Sequence, residues 1–311
     1  MDFSVEKIKP IEYEELYEVL AVAFEKTPWD YFRPFYENDP WMKDDFVFVI
    51  RDNGKIVSSV TVFDRTVWIE GKRVKMGGIG NVGTLPSFRG KGLAGLILDK
   101  CRELMKKEGF DVSLLFAGPV PLYEKHGWSS LKVFSYVFSD FKEIKVDPLI
   151  TVRPISWEKE RFIVRQIHSE FIKQVNFATE RNMVYWNSYV RMFKNKNCDL
   201  FGAFKKNLCV AYLFVDFDRK EKNLWLKELC WKDKEDLLSI IKGIIDIYKP
   251  EKIKLTGTGI ANPVIDVLKE VSDNVYSDHQ KGFMACNINA NFDMKSDSFC
   301  DKILHFSGDD F

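Results

Sequence analysis

Between Thr84 and Gly95 the chain reads TLPSFRGKGLAG, a stretch whose residue types could hold an anion. Arg89 and Lys91 supply two cations. Gly90, Gly92 and Gly95 strip the backbone of side chains, and Leu93 and Ala94 open an apolar, helix-period pattern. The first turn of a helix carries N–H groups without intrahelical partners and the positive end of the peptide dipole. A glycine-flanked helix start therefore lets a phosphate reach bare main chain, and nearby cations add charge-assisted bonds. The spacing is not that of the GxxxxGK[ST] phosphate loop. Taken alone, the stretch reads equally as a solvated helix start bounded by glycines.

A second glycine pattern overlaps it. Gly78, Gly80 and Gly83 formally satisfy GxGxxG, but a dinucleotide fingerprint needs a helix opening on those glycines. Here Thr84-Leu85-Pro86 follows, and Pro86 holds Leu85 extended. These glycines are instead expected to thin a strand so that a ligand lies against its backbone, or to mark a bulge.

The elements around these glycines follow from periodicity. FVFVI, KIVSSVTVF, RTVWIE and KRVKMGGIGNVGTL read as four strands, with turn signals at DNG and EGK. GLAGLILDKCRELMKKEG then predicts a helix of about four turns, with Leu93, Leu96, Ile97 and Leu104 on its apolar face and Gly109 as C-cap. DVSLLFA is a short strand, VPLYEKHG a short helix and VFSYVF a late strand. Upstream, SVEKIKPIEYEELYEVLAVAF passes from strand to an amphipathic helix with Leu16, Leu20 and Phe24 at four-residue spacing. The aromatic, acidic segment EKTPWDYFRPFYENDPWMKDD follows, and predicts a helical or looped contact surface.

Near Asp147-Pro148 the pattern restarts. TVRPISWEKERFIVRQIHSEF repeats the opening, and Cys198 to Tyr248 repeat the middle as hairpin, strand and helix. Such repetition predicts a duplicated domain, with boundaries at 1–147 and 148–290 and a tail at 291–311. The second copy has WKDKEDLL where the first has LPSFRGKGLAG. With its glycines gone and acids at the helix start, that copy should repel the anion the first holds.

Composition narrows the class. A chain of 311 residues, 46% apolar and 30% charged, fits about two globular domains. The 46 basic residues equal the 46 acidic ones, which disfavours a nucleic-acid binder. The six cysteines show no CxxC pair and sit largely in apolar runs, so reduced core thiols are expected. The first residues lack a signal-peptide pattern, and no apolar run approaches the ~20 residues of a membrane span. A cytoplasmic protein is expected, with no metal and no membrane or nucleic-acid partner.

Strand, VGTLPSFRGKGLAG and helix, then strand and PLYEKHGW, together resemble the Gcn5-related N-acetyltransferase (GNAT) superfamily over about residues 1–145. Arg89, Gly92 and Ala94 match its (Q/R)-x-x-G-x-(G/A) signature, and Tyr123 to Trp128 match its second, aromatic-x-x-x-Gly-aromatic. The duplication with a degenerate second copy, and the ending HFSGDDF, is similar to the narrower group that includes the enhanced intracellular survival (Eis) acetyltransferases. Their sterol-carrier-like domain is not expected in a chain this short. The resemblance implies an α+β (α/β) fold: two tandem acyl-CoA N-acyltransferase domains, each a mixed, mostly antiparallel sheet flanked by helices. It implies acetyl-coenzyme A as donor, held by its pyrophosphate at Arg89, Gly90, Lys91, Gly92, Leu93, Ala94 and Gly95. The group also forms oligomers, so a homo-oligomer is within expectation.

The implied reaction is direct attack of an amine on the thioester, the acceptor being a primary amine of a small molecule or peptide. The backbone of Val82, Gly83, Thr84 and Leu85 would pair with the pantetheine amides as an added strand does, and an N–H there would polarise the carbonyl. By the same resemblance Tyr123 is the acid for the leaving thiolate, and the terminal carboxylate of Phe311 folds back as base. Glu25, Asp30 and Glu37 are fallback acids that would attract a cationic, partly apolar acceptor. The four histidines lack partners at catalytic spacing. The other reading of the same loop is a catalytically silent coenzyme A-binding module for sensing or assembly.

Overall fold

A computed structural model describes residues 3–25, 27–195, 198–306 and 309. In the first half, β1 (Val5–Lys7) leads to α1 (Tyr13–Ala23) and the short α2 (Arg33–Glu37). Then come β2 (Val47–Asp52), β3 (Lys55–Ile69) and β4 (Lys72–Thr84). The chain continues through α3 (Leu93–Lys107), β5 (Val112–Phe116), α4 (Val120–Lys125), β6 (Ser129–Ser130) and β7 (Phe134–Phe141). KIVSSVTVF and RTVWIE are not two strands but the single β3: no glycine or proline interrupts Asp64-Arg65. The turn signals were only two, and Asn53-Gly54 and Glu70-Gly71 are the left-handed pairs that close the hairpins.

The second half repeats this order with one added short strand, β9. It contains β8 (Ile150–Pro154), α5 (Trp157–Phe171), β9 (Ala178–Thr179), α6 (Met183–Asn195), β10 (Asp199–Lys205), β11 (Leu208–Asp218) and β12 (Asn223–Trp231). After them come α7 (Lys234–Tyr248), β13 (Lys252–Thr258), α8 (Pro263–Glu270), β14 (Ser272–His279) and β15 (Phe283–Asn287). Each half thus places a helix between two parallel strands, β4-α3-β5 and β12-α7-β13. The remaining pairings are antiparallel.

The two sheets run β1-β2-β3-β4-β5-β15-β6, with β9 on β3, and β14-β7-β13-β12-β11-β10-β8. Each half therefore keeps its penultimate strand at an edge and gives its last strand to the other sheet. β7 lies between β13 and β14, while β15 lies between β5 and β6, with Phe283 opposite Phe116 and Asn287 opposite Val112. The line at 147/148 is crossed by β7 in one direction and by β15 and the short β9 in the other.

Helices cover both faces of the first sheet. Ile56 to Phe63 are buried without alternation, as expected of a strand sandwiched on two sides. Along α3 the buried stripe is Leu93, Ile97, Leu98, Cys101 and Met105, whereas Leu96 is exposed, one step off the expected face. Gly109 ends the helix in the left-handed region (φ 71°), as expected of a C-cap. On α1, Leu16 and Leu20 are buried, but Phe24, past the helix end, is 40% exposed. All six cysteines are free thiols, five of them buried. Among the described residues no helix is long and apolar enough to cross a membrane.

Candidate active site

β4 and β5 pair only from Met76–Val112 to Ile79–Leu115 and then part. The cause lies in β4. Its pairing with β3 jumps from Gly83–Ser59 to Gly80–Thr61, so Asn81 and Val82 face the single residue Val60. Asn81 takes a left-handed φ of 49°. An extra residue inverts the alternation of a strand, and it does so here. A Cβ at Gly77 would strike Met105 of α3, whereas one at Gly83 would strike Leu20 of α1, on the opposite face. The bulge expected among these glycines is present, though Gly83 is thinned for a helix rather than for a ligand.

A cleft of about 900 Å³ opens where the strands part. Val82 and Thr84 line it; Gly83 and Leu85 do not. The Leu85 N–H donates to the Val57 carbonyl at 2.9 Å, back toward β3. Alternation then turns Thr84 to the open edge, where Arg89 Nε donates to its carbonyl at 3.3 Å.

The start of α3 forms the cleft's next wall. Gly90 and Gly92 have φ of 78° and 77°, values that a side chain resists, and a Cβ at either would meet only open space. No side chain caps the helix, and the first N–H to bond backward is that of Leu96, to Gly92 at 3.2 Å. The amides of Leu93, Ala94 and Gly95 are left for an outside acceptor, and all three residues line the cleft. Arg89 lies beside them with its donors directed to protein: Nη2 to the Ala23 carbonyl at 2.8 Å and Nη1 to Glu25 at 3.1 Å. In this conformation it locks the end of α1 to β4. Exposed Lys91 packs over Phe88 at 4.4 Å.

The same position in the second copy is closed. Asp233 caps α7, its Oδ1 accepting the Asp236 N–H at 3.0 Å, and Glu235 and Asp236 occupy the first turn. Burial and neighbouring Asp233 push the Asp236 carboxyl up to about 6. A helix start whose amide is taken by its own carboxylate, amid acids, disfavours an anion.

Tyr123 stands in α4, on the cleft wall and 5% exposed, with burial pushing its phenol up to about 12. It keeps its proton at neutral pH, as a donor must. Phe311 lies outside the described residues. Asp309, two positions earlier, is buried: its oxygens accept from Arg181 Nε at 3.0 Å and Nη2 at 2.7 Å. Arg181 also pairs with Glu228 at 2.9 Å, and Tyr189 and Tyr212 donate to the same carboxylate. Of the fallback acids, Glu25 pairs with Arg89, Glu37 pairs with Arg33 at 2.7 Å, and Asp30 is exposed; none lines the cleft.

The histidines serve packing. His126 meets Asp99 at 2.8 Å, and a side chain at Gly95 would collide with its ring. His168 is buried, its imidazole held neutral by desolvation and nearby Arg181. The rings of His279 and His305 pack against Phe134 and Phe116. Among the described residues no group of three His, Cys, Asp or Glu is placed for a metal ion.

Sequence reasoning missed Asn81, Tyr36 and Thr61. The Asn81 amide donates to the Tyr36 hydroxyl at 2.9 Å, and that hydroxyl meets Thr61 Oγ1 at 2.8 Å. The chain of bonds ties α2, β3 and the bulge at the cleft floor. Asn is enriched among non-glycine residues with positive φ, so Asn81 within GIGNVG was the available signal.

The comparisons with known proteins bear on the fold that carries this cleft. Residues 4–131 match the sequence family described as an acetyltransferase (GNAT) domain. No curated protein matches the chain. Among solved structures, a probable N-acyltransferase from Enterococcus faecalis V583 superposes with a TM-score of 0.76 at 16% identity, over 93% of this chain and 73% of that one. Eis1 from Mycobacterium abscessus gives 0.66 at 12% identity, over 92% and 74%. N-myristoyltransferase of Saccharomyces cerevisiae, solved with myristoyl-CoA bound, gives 0.57 at 10% identity, over 97% and 88%. At these identities the likeness is one of fold: an α+β chain with two mostly antiparallel sheets flanked by helices.

Proposed function

We propose, for a chain whose residues 4–131 match a GNAT acetyltransferase domain, that it moves the acetyl group of acetyl-coenzyme A to a primary amine by direct attack on the thioester. The GNAT family supports acyl transfer in general; the donor and the amine acceptor are the finer parts of this reading. The observation that carries it is the uncapped start of α3, with Gly90 and Gly92 left-handed, opening onto the gap between β4 and β5.

In this reading the amides of Leu93, Ala94 and Gly95 hold the diphosphate, aided by the dipole of a 15-residue helix. Lys91 adds charge from the rim. Thr84 offers main-chain groups to the pantetheine at the open strand edge, in the manner of strand addition. Main-chain N–H at the bulge polarises the thioester carbonyl. The Tyr123 phenol gives its proton to the departing thiolate. The second copy, its helix start closed by Asp233, serves the fold and supplies β15 beside β5.

Calorimetry with acetyl-coenzyme A, followed by thiol release with a panel of primary amines, tests this. Binding with steady release in the presence of an amine is the expected result. Binding without release from any amine would favour a silent coenzyme A-binding module, and no binding would end the reading.

A further inference from the structure

The acetyltransferase reading leaves the acceptor open, and the cleft bears on it. Its acceptor-side wall is the segment from the end of α1 into α2, which contributes Phe24, Thr27, Pro28, Tyr31, Phe32 and Phe35. Phe24 and Tyr31 are 40% and 50% exposed, toward the opening, while Phe32 is buried behind them. Phe116, at the end of β5, also lines the cleft. Among the described residues that line the cleft, none is Asp or Glu, and Arg89 is the one charged side chain. Of the nearby acids, Glu25 is neutralised by Arg89 and Glu37 and Glu14 by Arg33, while exposed Asp30 is not among the residues that line the cleft.

We infer that the acceptor is a monoamine carried on an aromatic or branched apolar body, not a polycation. An ammonium stripped of water needs a carboxylate or several acceptors in return. Aromatic faces attract a single cation, and the Asn81 carboxamide at the bulge, its nitrogen already donating to Tyr36, offers an oxygen to one amine N–H. A second or third ammonium in the same cleft finds no anionic partner among the described lining. The rings instead bury apolar body surface, which the hydrophobic effect rewards. The inference keeps the expected partly apolar acceptor but does not use attraction through Glu25, Asp30 and Glu37, which do not line the cleft.

The test compares kcat/KM of the full chain, with acetyl-coenzyme A as donor, for 2-phenylethylamine and tryptamine against spermidine. The arylalkylamines are expected to lead by about tenfold or more, the low end of the discrimination one apolar group earns in a hydrophobic pocket. Tyr31→Glu, which supplies the missing carboxylate at an exposed position, should shift the ratio toward spermidine by about tenfold through the amine KM, with the acetyl-coenzyme A KM unmoved. Spermidine as the better wild-type substrate, or no shift in Tyr31→Glu, would overturn the inference and leave the acetyltransferase reading standing. Turnover of no amine at all would bring down that reading, and the inference with it.

Discussion

Alanine at Gly92 is the sharpest probe of the helix start. Gly92 sits at φ 77°, ψ 8°, with open space around the position of a Cβ. The substitution therefore adds backbone strain without a clash. A left-handed conformation costs an L-residue about 1–2 kcal/mol. Gly109, at the other end of the same helix, has φ 71° and equally open surroundings, but lies about 26 Å away along a helix rising 1.5 Å per residue. Alanine at either position should lower unfolding stability by about 1–2 kcal/mol. Only Gly92→Ala should also weaken coenzyme A, because the amides that follow it are then held in the binding geometry at a cost. If that strain is relieved in the free protein and restored on binding, it appears as about a 5- to 30-fold rise in Kd. Urea unfolding and calorimetry, run on both variants, separate the two effects. Equal loss of affinity at Gly92 and Gly109, or none at Gly92 despite lost stability, would refute the placement of the diphosphate.

Tyr123→Phe should cut kcat by about 100-fold, the low end of general acid catalysis, while coenzyme A affinity stays in place. Because the phenol is pushed up to about 12, its proton is present throughout the working range. The wild-type rate should rise with pH as the amine deprotonates and show no fall from loss of this proton below about pH 10; an alkaline limb near neutrality would exclude Tyr123. Arg181→Met leaves Asp309 and Glu228 buried without their cation and should cost about 3–5 kcal/mol in urea unfolding. Removing the exposed Arg73 from Glu180 should cost less than about 1 kcal/mol, and equal losses would show that the buried clamp is not special. Asp236, raised to about 6 from a usual value near 3.8, binds its proton more tightly folded than unfolded. Its charge thus burdens the fold above about pH 6 and not below the usual value. Asp236→Asn should stabilise at pH 7 and be neutral near pH 3.5, and a pH-independent difference would contradict this.

The local elements were legible because each carries its own period. Pro86 ruled out a dinucleotide turn, Gly109 marked a helix end, and WKDKEDLL announced a closed second site. What escaped was set by partners distant in sequence. Nothing within residues 129–141 says that β7 belongs beside β13, since strand pairing is decided by the whole sheet. Leu96 and Phe24 have core-like spacing, but their faces were fixed by how α1 and α3 meet the cleft. Arg89 looked free for an anion, and its bonds to the Ala23 and Thr84 carbonyls depend on the approach of α1 to β4. Asn81, Tyr36 and Thr61 converge only through the bulge.

The reciprocal strand exchange bears on how such a gene can be cut. A fragment of residues 1–147 would make a sheet with a slot between Val112–Phe116 and Ser129–Ser130, and a spare hydrophobic ribbon, Phe134–Phe141, with nowhere to dock. Its counterpart would be defective in the mirror sense. The copy with the closed helix start is therefore not dispensable ballast: deleting it removes the plank that flanks Phe116 in the first sheet.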